Sequence, residues 1–179
     1  MNTTTVRTPA GPLTILATDD GVVRAAGFSD DVASLLVGMP AHWRHAAKPR
    51  DDLGKISKAV TAYLDGDLTA LDEVPVVQRP DAATVASGRS DFLTAAWRAL
   101  RQIRPGETVT YTELAARAGR PAAVRPAASA CARNNVALFV PCHRVLRGDG
   151  GLGGYRWGTE VKRWLLHHER ALAQATWSS

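Results

Sequence analysis

Short hydrophobic runs separated by turn-forming residues characterise the first part of the chain. Residues 11–18 are largely apolar, residues 19–21 are Asp-Asp-Gly, and residues 22–28 form a second apolar run. Two such runs joined by a tight polar turn predict a β-hairpin. The pattern therefore favours a small antiparallel sheet in this half.

Helical periodicity follows the hairpin. Ser29 precedes two aspartates and predicts a helix start. Residues 52–64 predict a second helix, ended by Gly66, because apolar residues recur on one face: Leu53, Ile56, Val60 and Leu64. Residues 74–77 predict a short edge strand, and the Ala/Thr/Ser-rich residues 80–88 predict a linker. We therefore expect an N-terminal α/β domain over residues 1–88.

The second half, residues 89–179, is dominated by helical patterns and is expected to form a second domain. A helix capped by Ser90 or Asp91 is predicted up to Pro105. Its apolar positions share one face: Phe92, Leu93, Ala96, Trp97, Leu100 and Ile103.

Two short helices form the centre of this half. Thr110 and Glu113 have the spacing of a capping box at the start of a helix that ends at Gly119, and another helix runs to Arg133. Helices joined by a glycine-containing turn predict a helix-turn-helix. The second helix carries Arg125 among small residues, which suits close approach in a narrow groove better than reading base edges. A buried, alanine-rich packing helix is the alternative.

A cysteine follows the last hydrophobic run, residues 136–140. Pro141 has no N–H for a strand ladder, so the chain is predicted to leave a strand there and to expose Cys142 at a turn. Positive charge on His143 and Arg144 should favour the thiolate. Many lone cysteines are instead small buried hydrophobic residues. The segment alone leaves both interpretations open.

Charge is distributed unevenly along the 179 residues, whose net charge is +5. Residues 1–89 hold nine Lys/Arg against eleven Asp/Glu, a net of −2, whereas residues 90–179 hold thirteen against six, a net of +7. A basic second half beside an acidic first half indicates a polyanionic partner for the second half. Arginine, which dominates there, also suits phosphate.

Membrane, secretory and metal-binding classes are not expected. No run of about 18 apolar residues is present, and residues 1–5 lack the basic and apolar regions of a signal peptide, so we expect a cytoplasmic protein. Cys131 and Cys142 are then free thiols without zinc-ligand spacing. His42 and His45 are three residues apart but lack a third ligand, and we expect no metal or other cofactor.

Several motifs follow one another between about Phe92 and Glu169. They are Gly106-Glu107-Thr108-Val109-Thr110-Tyr111, Ala123-Val124-Arg125, Ser129-Ala130-Cys131-Ala132-Arg133-Asn134, Pro141-Cys142-His143-Arg144-Val145 and Gly153-Gly154-Tyr155-Arg156-Trp157-Gly158. In these motifs the chain resembles the bacterial O6-alkylguanine-DNA alkyltransferases, or methylated-DNA–protein-cysteine methyltransferases. The hairpin of residues 11–28 is also similar to the N-terminal domain of that family.

The resemblance implies a fold class and a reaction. The fold would be α/β, with a small N-terminal α/β domain built on an antiparallel sheet. A mostly helical C-terminal domain would carry the helix-turn-helix and an active-site loop. The reaction would be DNA repair by direct reversal: O6-alkylguanine is flipped out of the duplex, and its alkyl group passes irreversibly to Cys142, once per molecule.

Roles for individual residues follow from the same resemblance. Cys142 would accept the alkyl group, His143 would deprotonate it through a water, and Glu169 would orient the histidine. Asn134 would brace the turn before the cysteine, and Tyr111 would rotate the phosphate and then donate to the base. The DNA contacts would be Tyr111, Arg125, which fills the gap left by the flipped base, Ala127, Ala128, Ser129 and Arg133. The alkylguanine pocket would comprise Val145, Gly153, Tyr155, Arg156 and Lys162.

Two positions depart from the family pattern. Pro126 follows Arg125, where it removes an N–H and restricts the arginine, and Asn135 stands where proline often follows Asn134. Two other functions compete with alkyl transfer. A damage-binding helix-turn-helix protein without chemistry is disfavoured by the presence of Cys142, and a cysteine hydrolase using His167 or His168 lacks an identifiable oxyanion arrangement. We expect double-stranded DNA as the partner, and a monomer in solution that can assemble cooperatively on DNA.

Overall fold

An antiparallel sheet organises the N-terminal half. The computed structural model describes residues 1–37, 39, 43 and 47–171. Its first strands, β1 (Asn2–Thr8), β2 (Gly11–Ala17) and β3 (Val23–Gly27), pair in the order β3-β2-β1, and β4 (Lys48–Pro49) adds to β1 in parallel. The hairpin predicted from the apolar runs is confirmed. Strand β1 was not predicted because its threonines show no apolar alternation, although β-branched residues favour strands.

Helices α1 (Val32–Leu36) and α2 (Lys55–Leu64) follow the sheet. The predicted cap at Ser29 is wrong: Asp31 caps α1 by accepting from the backbone N–H of Ala33 at 3.0 Å. Helix α2 buries Ile56, Val60 and Tyr63 against the core, so its predicted apolar face is largely confirmed. The edge strand predicted for residues 74–77 is reduced to a bridge between Val76 and Val23.

The C-terminal half is mostly helical, as predicted. Its elements are α3 (Ala82–Ala86), α4 (Ser90–Arg101), β5 (Val109–Thr110), α5 (Tyr111–Arg117), α6 (Val124–Ala132), β6 (Val145–Leu146) and α7 (Thr159–His168). Helix α3 occupies the segment predicted as a linker. The predicted cap of α4 at Ser90 or Asp91 is wrong, because the turn that closes α3 leads directly into α4 and places Arg89 at the cap position.

The capping box and the helix-turn-helix are confirmed. Thr110 Oγ1 accepts from the N–H of Glu113 at 3.2 Å, and Glu113 Oε2 accepts from the N–H of Thr110 at 2.6 Å. Strands β5 and β6 pair in parallel, with Val109 opposite Val145. This pairing holds the start of the helix-turn-helix beside the segment that follows Cys142.

The two halves share one hydrophobic core and are joined by backbone hydrogen bonds. Ala26 of β3 donates to the carbonyl of Asn135 at 2.9 Å and accepts from Ala137 at 2.8 Å. Trp157 packs so closely on Gly27 that a Cβ there would lie 2.6 Å from its Nε1. The N-terminal sheet therefore supports the segment that leads to the cysteine.

In the part of the chain that the structure describes, no helix is long and apolar enough to cross a bilayer. The same residues contain no group of three or more His, Cys, Asp or Glu side chains placed to hold a metal ion. His42 and His45 lie outside the described residues.

Candidate active site

Cys142 begins a turn of 3-10 helix, Cys142–Arg144, and is only 4% exposed. The predicted exposed turn is therefore wrong. Residues 136–140 do not continue a strand: Val140 donates back to the carbonyl of Val136 at 3.0 Å, which folds the run into a turn. Because this turn packs into the shared core and is bonded to β3, it carries the cysteine into the interior.

Asn134 spans that turn and reaches the sulfur. Its Nδ2 donates to the carbonyl of Val140 at 2.7 Å and to Sγ of Cys142 at 3.1 Å, while its Oδ1 accepts from the N–H of Val136 at 3.0 Å. Leu138, between these anchors, has a φ of +70°, a region that residues other than glycine rarely adopt. The asparagine therefore fixes both the turn and the thiol.

Burial decides the acidity of the thiol. It raises the pKa of Cys142 above its ordinary value, although the hydrogen bond from Asn134 and the charges of Lys162 and Arg156 act in the opposite direction. The expectation that neighbouring basic residues favour the thiolate is therefore wrong for the folded protein. The side chains of His143 and Arg144 are engaged by another partner, and the removal of water dominates. A base is required to ionise this thiol.

His143 follows Cys142 directly in the chain, and its ring is paired with Glu169. Its Nε2 lies 2.9 Å from Oε1 of Glu169, and both side chains are fully buried. The pKa of His143 is lowered by burial, despite the opposing charge of Glu169, so the neutral ring is favoured. Since a carboxylate can only accept, Nε2 carries the proton and Nδ1 is the free acceptor. Nδ1 has no hydrogen-bond partner among the described residues.

Glu169 is held by a wider network than the sequence indicated. Arg144 donates to Oε2 through Nε at 2.9 Å and to Oε1 through Nη2 at 2.8 Å, and Tyr63 donates its hydroxyl to Oε1 at 2.8 Å. Burial acts to raise the pKa of Glu169, but His143 and Arg144 outweigh it and hold the pKa well below its ordinary value. Sequence reasoning missed Arg144 and Tyr63 in this role. Long-range contacts of this kind have no local signal.

Lys162 of α7 holds the predicted pocket together. Its buried Nζ donates to the carbonyl of Val145 at 2.7 Å and to that of Gly154 at 3.3 Å. Burial lowers the pKa of this ammonium group, and a negative charge on Cys142 would raise it. Tyr155 belongs to the same loop, and its buried hydroxyl has no hydrogen-bond partner among the described residues. Arg156 is exposed and stacks over Trp157, with 5.5 Å to the ring centroid.

Tyr111 and Gly153 lie in close contact. Gly153 has a φ of +70°, and a Cβ added there would lie 2.9 Å from the hydroxyl of Tyr111. Burial raises the pKa of Tyr111, with smaller contributions from Cys131 and Cys142, so the phenol remains a proton donor. Glycine is thus needed at this position both for its backbone conformation and for the close approach of the phenol.

Helix α6 divides the predicted DNA contacts into exposed and buried ones. Arg125 and Ser129 are exposed, and Ala128 is partly exposed. The predicted DNA contact of Ala127 is wrong, because its position on the helix faces the core and its side chain is fully buried. Arg133 is exposed but already paired, donating to Thr84 Oγ1 at 2.5 Å and to Asp81 Oδ2 at 3.3 Å.

Pro126 lies in the first turn of α6, where a missing N–H costs no helical hydrogen bond. Beside it is a cleft of about 320 Å³ with an apolar floor that includes Phe92 and Leu93. Its basic lining residues are Arg89, Arg120, Arg125 and Arg133. Cys131, in the same helix, has its pKa raised by burial, as expected of a packing residue.

The fold and the site define a helix-turn-helix protein with a buried cysteine directly before a histidine that is paired with a glutamate. The sequence model of the 6-O-methylguanine DNA methyltransferase DNA-binding domain matches residues 91–171. The bifunctional transcriptional activator/DNA repair enzyme Ada of Escherichia coli is 56% identical over 78 residues, 44% of this chain and 22% of Ada.

Other similarities extend over almost the whole chain. A methylated-DNA–protein-cysteine methyltransferase of Salmonella typhimurium is 32% identical over 167 residues, 92% of this chain and 92% of that protein. The structure of Mycobacterium tuberculosis OGT in complex with DNA is 30% identical with a TM-score of 0.76, covering 96% of this chain and 94% of that one. The chain belongs to the methylated-DNA–protein-cysteine methyltransferase family, which confirms the resemblance found in its motifs.

Proposed function

We propose that this protein repairs alkylated DNA by direct reversal, transferring the alkyl group from O6 of guanine to Sγ of Cys142. The observation that carries the proposal is the arrangement around that sulfur: Asn134 fixes it from one side, and the adjacent His143 is held neutral by burial and oriented by Glu169. Family membership and the DNA-bound relative support DNA as the partner.

The target base must leave the duplex before it meets a buried sulfur, because a nucleophile cannot reach its target atom inside the stack. Helix α6 enters the minor groove with its small side chains, and the exposed Arg125 takes the place of the flipped base. Tyr111 turns the phosphate and then donates its proton to the base. Arg125 lies in the first turn of α6, where a backbone N–H has no partner within the helix, and its exposed side chain reaches into the stack.

The chemical step is a displacement at the alkyl carbon. Neutral His143 takes the thiol proton from Cys142 through a water at Nδ1, and Glu169 stabilises the imidazolium that forms. The thiolate attacks the alkyl carbon, so a carbon–sulfur bond forms as the carbon–O6 bond breaks. The electron pair of the broken bond stays on guanine, which recovers a proton from Tyr111. The thioether does not hydrolyse, and each molecule acts once.

The flipped base is held by a pocket between β6 and the loop that follows it. The carbonyls of Cys142 and Val145 accept from the guanine amine, since each carbonyl oxygen has two lone pairs and can accept more than one donor. Tyr155, Gly153 and Arg156 form the walls, and Lys162 ties the loop to β6. Every proton and bond in the proposed steps is handled by side chains of this protein and by water.

Turnover stoichiometry tests the proposal. Duplex DNA containing O6-methylguanine, in excess, should yield one repaired guanine per protein molecule and then stop. Cys142→Ala should give none, and Cys131→Ala should match the wild type, because only the former removes the acceptor. Tight lesion binding without repair would instead support the damage-binding alternative, and repeated turnover would contradict the single-use mechanism.

Two organisational features belong to the same proposal. The two domains are residues 1–88 and residues 89–179. Helix α3 lies in the segment at residues 80–88, which connects the sheet to the helix-turn-helix. The protein acts as a monomer that assembles cooperatively along DNA. Sedimentation with and without duplex DNA tests the second statement, and limited proteolysis around residue 88 tests the first.

A further inference from the structure

One contact joins the N-terminal half directly to the proton relay. Tyr63, near the end of α2, is fully buried, and its hydroxyl donates to Oε1 of Glu169 at 2.8 Å, across 106 residues of sequence. The acceptor is a carboxylate oxygen that carries negative charge. The hydrogen bond is therefore of the strong, charge-assisted kind.

Tyr63 holds the end of α7 in two further ways. Its backbone carbonyl accepts from Nε2 of His168 at 2.8 Å, and its ring meets the His168 ring edge to face at 5.1 Å. His168 in turn stacks on Trp164 at 4.8 Å. Glu169 follows His168 directly, so both its backbone and its carboxylate are anchored on α2.

The acceptor of the Tyr63 hydroxyl is also the acceptor of the histidine. Oε1 of Glu169 receives Tyr63 Oη, His143 Nε2 and Arg144 Nη2 within 2.9 Å. Each carboxylate oxygen offers about two lone pairs, so these donors compete for the same electron density. The hydrogen bond from Tyr63 thus weakens the electrostatic attraction between Glu169 and the imidazole of His143.

We propose that Tyr63 is a positioning residue for alkyl transfer: its hydroxyl fixes Oε1 of Glu169 and thereby sets the orientation and basicity of His143. The inference rests on the proposed function. Tyr63 touches neither the sulfur nor the base, and it acts through the carboxylate. The N-terminal domain carries no acceptor cysteine. Through Tyr63 it nevertheless contributes to the deprotonation of the Cys142 thiol by His143.

The charged and titratable groups around His143 determine whether removing the Tyr63 hydroxyl raises or lowers the pKa of His143. Glu169 raises its pKa, Arg144 and Lys162 lower it, and burial lowers it most. The thiol of Cys142 adjoins it in the chain, and the phenol of Tyr155 lies close to Cys142, Tyr63 and Glu169. Removing the Tyr63 hydroxyl leaves these groups in place and frees Glu169 to attract the imidazolium, so the pKa of His143 should rise.

Tyr63→Phe tests this with two readouts, the pKa of His143 from histidine-labelled NMR titration and the rate of methyl transfer against pH. We expect the pKa to rise by about half a unit or more, and the neutral-pH rate to fall roughly three- to tenfold, as expected when one hydrogen bond to a charged group is removed. The acidic limb of the rate profile should move to higher pH with the NMR value. DNA affinity should not change.

Thr14→Val is the matched control. Thr14 is fully buried, and its hydroxyl bonds to Ser29 and Thr5 but does not contact the relay. The variant should lower the melting temperature and leave the pKa of His143 and the rate unchanged. A second arm introduces Tyr63→Phe into Glu169→Gln, where it should have no further effect on the rate, because the shared carboxylate is gone.

An unchanged His143 pKa in Tyr63→Phe would overturn the inference, as would a rate loss that Thr14→Val reproduces or that persists undiminished in the Glu169→Gln background. The two proposals fail separately. A wild-type protein that transfers no methyl group refutes the proposed function, whereas the NMR titration reports on the Tyr63–Glu169–His143 coupling without any reaction.

Discussion

The side-chain amide of Asn134 donates to Sγ of Cys142 at 3.1 Å while it bridges the turn between Val136 and Val140. A hydrogen bond to sulfur favours the thiolate, and here it opposes the burial that raises the pKa of the thiol. One buried side chain thus supports both the fold of the turn and the ionisation of the nucleophile.

Asn134→Ala should therefore damage stability and chemistry together. It leaves the buried N–H of Val136 without its partner and removes one of the two donors to the carbonyl of Val140, at a cost of roughly 2–4 kcal/mol in the free energy of unfolding. The pKa of Cys142 should rise further. Urea unfolding and the pH dependence of methyl transfer measure the two effects. Asn135→Ala, which keeps the backbone bond to Ala26, is the control and should change neither strongly.

Replacing Arg144 by methionine tests the buried ion pair. Arg144 binds both oxygens of Glu169 and the carbonyl of Ile103, so removing it leaves an uncompensated buried carboxylate. We expect a decrease of about 3–5 kcal/mol in the free energy of unfolding. Arg147→Met removes an exposed pair with Asp149 and should cost less than about 1 kcal/mol. Equal effects in the two variants would refute the importance of the buried network.

The protein should become less stable as the pH falls below about 6.5, the ordinary pKa of histidine. His143 has a lowered pKa in the folded protein, so below about pH 6.5 the unfolded chain binds a proton that the folded chain does not. The free energy of unfolding then falls with decreasing pH, by at most about 1.4 kcal/mol per pH unit for this group. Urea titrations between about pH 8 and pH 5 measure it. His143→Gln should flatten this part of the curve, and an unaltered slope would contradict the assignment.

The local features of this fold could be predicted because their causes are local. The hairpin followed from apolar runs around Asp-Asp-Gly, and the capping box followed from the spacing of Thr110 and Glu113. The resemblance in the motifs around Cys142 was confirmed by the family relationship. The start of α4 could not be predicted, because it depends on the preceding turn rather than on a capping side chain.

The electrostatics of the site could not be predicted from neighbouring residues. His143 and Arg144 adjoin Cys142 in sequence, which predicted an acidified, exposed thiol, but both turn to Glu169 and the thiol is buried. Tyr63 reaches the same carboxylate from the opposite half of the chain. No periodicity or spacing encodes a contact across 106 residues, and burial is a property of the whole packing.

The arginine-lined cleft beside α6 predicts a measurable salt dependence. If Arg89 and Arg120 bind phosphates next to the site, the Arg89→Ala, Arg120→Ala double variant should reduce the slope of log affinity against log salt by roughly one for each phosphate interaction removed. Affinity should fall equally for damaged and undamaged duplexes. Arg98→Ala removes an exposed arginine elsewhere on α4 and should leave the slope unchanged. A double variant with the wild-type slope would exclude the cleft from DNA binding.

Peptide mass mapping after incubation with an O6-methylguanine duplex tests the central claim most directly. We predict one added methyl group on the peptide that contains Cys142, none on the peptide that contains Cys131, and none anywhere when the duplex carries unmodified guanine. An unmodified Cys142 peptide after complete exposure to the lesion, or a methyl group on another residue, would contradict the account.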